Sequence, residues 1–178
     1  MNNIKIKQIK KNTEVTKNWV KWLNDKDVTK FSKNRFKKHT LKTQKKFLLS
    51  KLKLKNNLIF KIFIKKKHIG IIEISKINNL KKFCYISYMI GEKKYWNKGI
   101  GTEAIGLIKK YIFDKLNFTK IFAGIYSNNK GSMFVLKKNN FKVYQRKPKF
   151  FKYNNIKVDK IVLIFKRASQ TSDLGKYS

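Results

Sequence analysis

Three apolar runs follow one another closely in this chain: LIFKIFI (58–64), IGIIEIS (69–75) and FCYISYMI (83–90). Each has the length and the Ile, Phe and Tyr content of a strand, and the links between them, KKKH and NNLKK, are short and polar. Parallel pairing needs a crossover of a dozen residues or more, so links this short predict an antiparallel meander. A sheet of this kind has apolar faces to cover, and the remaining chain must supply what covers them.

The flanking segments carry the helical period. Val15, Trp19, Trp22 and Leu23 recur at helical spacing, and Asn24-Asp25 ends that helix. Residues 25–39 read as an irregular second helix or a loop. Thr40 caps a further helix carrying Leu41, Phe47, Leu48 and Leu52. Beyond the meander, Ala104, Ile105, Ile108, Ile112 and Leu116 mark one helical face. KIFAGIY (120–126) reads as a buried strand and residues 131–138 as a short helix. FKVYQRK (141–147) and KVDKIVLIFKR (157–167) close as strands around Pro148. Ile4, Ile6 and Ile9 predict an edge strand at the start. One domain over residues 1–167 results, with a loose polar tail over 168–178.

Composition narrows the function classes. The 178 residues suffice for one core, and no apolar run approaches the ~18 residues of a membrane span. The first residues lack the apolar segment of a signal peptide. Cys84 is the sole cysteine, which excludes a disulfide framework and a cysteine-based zinc site. A reducing, cytoplasmic setting is expected, with no metal. The net charge of +36 suggests a polyanion, but the basic residues are nearly all Lys, scattered among many Asn and Ile. That joint excess is what an AT-rich coding sequence produces. Arg, the usual reader of bases and phosphates, occurs only at positions 35, 146 and 167, so nucleic acid is disfavoured as a partner.

After the meander comes YWNKGIGTEA (95–104), which meets the letter of a dinucleotide fingerprint. Its context does not fit. Tyr95-Trp96-Asn97-Lys98 separates the glycines from the strand ending near Ile90, and the next strand ends in Ser127-Asn128 rather than in an acid. The Walker lysine is also missing. Two readings stand. Either Gly99 and Gly101 let a pyrophosphate approach the N-terminus of a helix starting at Thr102, or they are two permissive residues at an N-cap.

Downstream, SNNKGSMFVLKKNNF (127–141) adds a second motif. The two together resemble the GNAT N-acetyltransferase superfamily, in particular the branch with ribosomal-protein N-terminal and amino-sugar acetyltransferases. Gly99 and Gly101 match its central motif, while Trp96 stands where Gln or Arg is usual. Asn129, Ser132, Lys138 and Phe141 match the second, with Asn140 in place of a glycine, a change Asn tolerates because it enters the left-handed region readily. The resemblance covers roughly residues 4–166. It implies an α/β (α+β) fold: a central, mostly antiparallel twisted sheet of six to seven strands, flanked by about four helices, with splayed fourth and fifth strands. It also implies acetyl-CoA as co-substrate. Met89 and Ile90 would offer backbone groups to pantetheine. The amides of Lys98, Gly99, Ile100, Gly101 and Thr102 would hold the pyrophosphate, and Asn129 would touch the pantetheine region.

Acetyl transfer to an amine needs a proton acceptor and donors for the developing oxyanion. The family's usual glutamate on the fourth strand falls on Tyr85, and its usual general-acid tyrosine falls on Leu136. Glu73, flanked by Ile72 and Ile74, and Tyr85 are therefore the catalytic candidates, although Glu73 reads equally as an outward residue on an alternating strand. Cys84, without a basic neighbour, is not expected to be a nucleophile. His68 in the KKKH link reads as a solvated turn residue. His39 is either a neighbour of the Thr40 cap or a contact to substrate.

Residues 27–40, DVTKFSKNRFKKHT, would form the acceptor wall. Arg35, with Lys33, Lys37 and Lys38, suits an acceptor amine carrying phosphate, such as a nucleotide-linked amino sugar. A solvated basic loop is the competing reading. A protein N-terminus is the rival acceptor, and a non-catalytic RNA- or ribosome-binding module is the rival function. The expected partner is a small-molecule amine, and the expected state a monomer or homodimer.

Overall fold

The computed structural model describes residues 3–153 and 156–167. In chain order the elements are β1 (Ile4–Gln8), α1 (Lys17–Asn24), α2 (Leu41–Leu52), β2 (Leu58–Ile64), β3 (Lys67–Asn78), β4 (Phe83–Ile90) and α3 (Ile100–Leu116). They continue with β5 (Lys120–Tyr126), α4 (Lys130–Lys138), β6 (Lys142–Tyr153) and β7 (Ile156–Lys166). The seven strands form one sheet in the order β1-β2-β3-β4-β5-β7-β6. Every neighbouring pair is antiparallel except β4 and β5. The meander β2-β3-β4 is as expected. Residues 168–178, read as a polar tail, lie outside the described residues.

Alternation along the strands divides the apolar side chains between two layers. On one face Ile72, Ile74, Cys84 and Ile86 pack under Ile105, Ile108 and Ile112 of α3. On the other, Ile59 and Ile71 meet Trp19, Trp22 and Leu23 of α1 and Leu48 of α2. Each fully buried isoleucine contributes roughly 1.5–3 kcal/mol, and the larger layer lies between α3 and the sheet. α3 therefore has no freedom to shift relative to β4, and its N-terminus is held beside that strand.

The pairing of β4 with β5 is short. Phe83–Ile86 pair with Lys120–Ala123, and there the register ends although β4 runs on to Ile90. The two strands diverge beyond that point, which opens the sheet next to the α3 N-terminus. Gly91, just past β4, donates its amide to the Ile69 carbonyl at 2.8 Å. A Cβ there would overlap the Trp22 ring, so only glycine lets α1 come down onto the strand end.

Several local expectations change. α3 begins at Ile100, with Gly99 as its N-cap at φ +75°, two residues earlier than Thr102. β6 does not stop at Pro148 but continues to Tyr153. β6 is an edge strand, and Pro148 falls in the register shift between Lys147 and Phe151, so its missing N–H removes no ladder bond to β7. Asn140 has φ +64°, the left-handed turn in which it replaces a glycine. His68 is no solvated turn residue. It is the second residue of β3 and lies against the rings of Trp22 (4.9 Å between centroids), Phe63 (5.6 Å) and Trp19 (6.4 Å).

Candidate active site

The gap between β4 and β5 opens into a cleft of about 1310 Å³. Its walls are the end of β4, the N-terminal turns of α3 and α4, and the α1–α2 connection with the first turns of α2. Gly99, Ile100, Gly101 and Thr102 line one end. At Gly99 the backbone is left-handed and nothing lies within 4 Å of where a Cβ would stand. The turn thus presents bare backbone and the unpaired amides of a helix start, the donor set that an anion takes. Gly101 has a different role. A Cβ on it would stand 3.2 Å from Val135 Cγ2 and 3.3 Å from Tyr88 Cε2, so its bareness lets α3 approach β4 and α4 closely.

The free edge of β4 follows from the ladder. Met89 faces Ile71, and Gly91 bonds Ile69, so alternation turns the polar backbone groups of Met89 toward β3. Those of Tyr88 and Ile90 turn toward the gap. Of the two backbones assigned to pantetheine, Ile90 faces the gap and Met89 does not. Tyr88 faces the gap with Ile90 because hydrogen-bonding direction alternates every residue. The Ile90 carbonyl already accepts the indole N–H of Trp96 at 2.8 Å, which explains what a tryptophan does at the variant motif position.

Asn129 caps α4, its side chain accepting the amide of Ser132 at 3.1 Å. Across the gap the Tyr88 hydroxyl donates to Ser132 Oγ at 3.3 Å. Burial pushes the Tyr88 phenol above its ordinary pKa, and the Ser132 hydrogen bond only partly offsets this, so the group stays protonated at neutral pH. Sequence reading missed Tyr88. It alternates with Ile86 and Ile90 toward the helices and reads as core until the strands are seen to part.

At the other end, Glu73 lines the cleft opposite Ser87. Lys51 Nζ bonds its Oε1 at 2.9 Å. The Asn57 amide, in the orientation that satisfies both its ends, donates to the same oxygen at 2.9 Å. His39 also lines the cleft. Lys30, Lys37, Lys38 and Lys130 stand around it, against Asp27 and Glu73 as the acids among the lining residues. Both acids have lysine partners, since Lys93 reaches Asp27 at 2.8 Å. The electrostatic field of the cleft is therefore positive.

Three candidates lie outside the lining. Tyr85 stacks on Phe122 at 5.1 Å, further along the sheet than Glu73. Arg35 spans the α1–α2 connection: its Nη1 donates to the Lys30 carbonyl at 2.7 Å, and its guanidinium lies over Phe36 and Phe151. Lys98 precedes the turn whose next four residues line the cleft. Cys84 is buried between Phe83 and Tyr85 on β4, and burial pushes its thiol up to about 12, which removes it as a nucleophile at neutral pH. Among the described residues no group of three or more His, Cys, Asp or Glu could hold a metal ion, and no helix is long and apolar enough to cross a membrane.

A family model, the acetyltransferase (GNAT) domain, matches residues 11–142. Over 57 residues the chain is 42% identical to the probable N-acetyltransferase YjcK of Bacillus subtilis, a match spanning 32% of this chain and 31% of that protein. It is 26% identical over 144 residues to the acetyltransferase PseH of Campylobacter jejuni, covering 79% of this chain and 85% of that one. In fold it resembles the spermidine N-acetyltransferase of Vibrio cholerae solved with CoA and spermine. The TM-score is 0.77 at 14% identity, over 92% of this chain and 95% of the other.

Proposed function

This chain belongs to the acetyltransferase (GNAT) domain family, and from that premise we propose that it moves the acetyl group of acetyl-CoA to the primary amine of a small, phosphate-bearing acceptor, an amino sugar or its nucleotide-linked form. The observation that carries the reading is the continuity of one cleft, from the bare turn at Gly99 past the unpaired edge of β4 to Glu73. The amides of residues 99–102 would hold the pyrophosphate, and the gap-facing backbone groups of Tyr88 with the amide of Ile90, whose carbonyl is taken by Trp96, would pair with the pantetheine amides as an added strand does. When bound, acetyl-CoA supplies an activated thioester. Glu73 accepts the proton of the acceptor ammonium, directly or through water, in an orientation held by Lys51 and Asn57. Tyr88 holds a proton at its phenol oxygen beside Ser132 and replaces the donor that Leu136 cannot be.

The charge of the cleft selects the acceptor class. A polyamine, as in the Vibrio cholerae complex, carries several positive charges and would meet Lys30, Lys37, Lys38 and Lys130. A phosphorylated acceptor meets the same lysines favourably. A thiol-release assay against amino sugars, nucleotide-linked amino sugars, polyamines and peptide N-termini tests this. The expected result is the highest kcat/KM for a phosphate-bearing amino sugar. Turnover confined to polyamines or peptides would overturn the acceptor assignment, and no thiol release with any amine would overturn the activity.

A further inference from the structure

The sheet face that carries Glu73 is not covered along its whole width. α1 and α2 cover it at β2 and β3, and the α1–α2 connection reaches it again where Arg35 meets Phe151, which stacks on Tyr126. Between these points and the far end of β5 the face is open, and Gly124, in the middle of an interior strand, is exposed. Across this opening runs a row of rings. Phe83 meets Tyr85 and Phe122 edge-on, Tyr85 stacks on Phe122, and Phe122 meets Tyr144 at 5.4 Å. The row ends in Tyr144, which is 61% exposed on the outermost strand.

Register places lysines between the rings. Lys120 is the β5 neighbour of Phe83, Lys166 faces Lys120, and Lys142 faces Ile164, itself opposite Phe122. These three lysines share the face of the rings, and Lys76 lies over the Tyr85 ring at 5.1 Å. None of these strand positions holds an acid. The scatter of lysine along the sequence becomes, on this face, an alternation of cations with aromatic rings. None of these residues takes part in the cleft chemistry.

We propose that this face binds single-stranded nucleic acid, bases against Tyr144 at the exposed end of the half-buried ring row and phosphates against Lys120, Lys142 and Lys166. Aromatic platforms flanked by cations hold single strands by stacking and by counterion release, with little sequence preference. The charge of +36 opposes a second copy of the same chain on this face.

The test is fluorescence anisotropy of a labelled RNA of about 15 nucleotides and mixed sequence, within the range of single-strand site sizes, on the full chain from low to physiological salt. Tyr144→Ala should weaken binding at least roughly fivefold, the lower end of what one stacked base contributes. Lys120→Glu with Lys142→Glu should weaken it further and lower the salt slope by roughly 0.7 for each phosphate no longer neutralised. The control, Lys42→Glu with Lys45→Glu on the exposed side of α2, changes the net charge equally and should leave binding within about twofold. Equal weakening in both double variants would mean diffuse charge and overturn the proposal. So would an unaltered affinity in Tyr144→Ala, or displacement of the RNA by inorganic polyphosphate at equal phosphate concentration in both Tyr144→Ala and the parent. Binding to phosphatidylserine vesicles without binding to RNA would overturn it as well. Thermal melts of each variant establish that the fold is intact.

Discussion

Glu73 carries two donors on one carboxylate oxygen, and that constraint decides how it can be tested. Replacing it with Gln keeps the size and the approach to Lys51, but the amide cannot accept a proton. Turnover should fall by about 10²–10⁴-fold with acetyl-CoA affinity nearly unchanged, as isothermal titration would report. Tyr85→Phe should stay within about threefold of the parent rate, because the Tyr85 ring stacks on Phe122 outside the cleft lining. Tyr88→Phe separates the two phenols. It removes the hydroxyl on Ser132 and should lower kcat by at least about tenfold, with no larger change in KM than in the Tyr85 variant. A Tyr85→Phe enzyme slower than Tyr88→Phe would reverse these assignments. Both tyrosines were visible in the same run of sequence. Only the direction in which each strand position points separates them, and alternation from the paired residue Met89 supplies it.

At the scale of elements, the start of α3 carries the two glycines for unlike reasons. Gly99 needs a left-handed backbone, and Gly101 needs the space beside Val135 and Tyr88. A valine at 101 would push into that packing and not into the cleft. Gly101→Val should therefore cost about 1–3 kcal/mol of stability by overpacking, together with at least about a tenfold loss of acetyl-CoA affinity as the helix start is displaced. Chemical denaturation and titration on the same sample check both, and full stability with weakened binding would return the side chain to the cleft. The α2 cap behaves as its sequence implies, with Thr40 Oγ1 accepting the Thr43 amide at 3.1 Å. Capping is local and needs only neighbours in the chain. The continuation of β6 through Pro148 was not legible, because whether a proline breaks a strand depends on its lying at an edge and at an interruption of the ladder, as Pro148 does between Lys147 and Phe151.

For the molecule as a whole, His68 ties α1 to the sheet. Its Nε2 bonds the Gly70 carbonyl at 3.0 Å, and since a carbonyl only accepts, the proton sits there and Nδ1 faces the Thr16 hydroxyl at 3.5 Å. Burial first, and the nearby Lys61 charge second, lower its pKa to about 4. The unfolded chain titrates near 6.5, so between these values the unfolded state binds more protons. Stability should be full above about pH 6.5 and fall as the pH drops toward 4, by at most ~1.4 kcal/mol per unit from this residue. Urea unfolding at pH 7, 6 and 5 should show this slope in the parent and a flatter one in His68→Gln. Equal slopes would remove His68 as the cause. Its role was hidden in the sequence, where a histidine after three lysines has no apolar neighbours on its N-terminal side, and the rings that enclose it come from Trp19 and Trp22 far along the chain. The sequence by itself determined the meander, the helix covering it, the glycine turn and the order of both motifs, because strand period, helix period and turn chemistry are set by near neighbours. The tertiary structure alone decided which β4 groups turn to the gap, that Tyr88 rather than Tyr85 meets the cleft, and that Lys120, Lys142 and Lys166 share one open face. Each of these depends on where β5 stops pairing with β4 and on which strand lies opposite, a matter of register between segments distant in the chain.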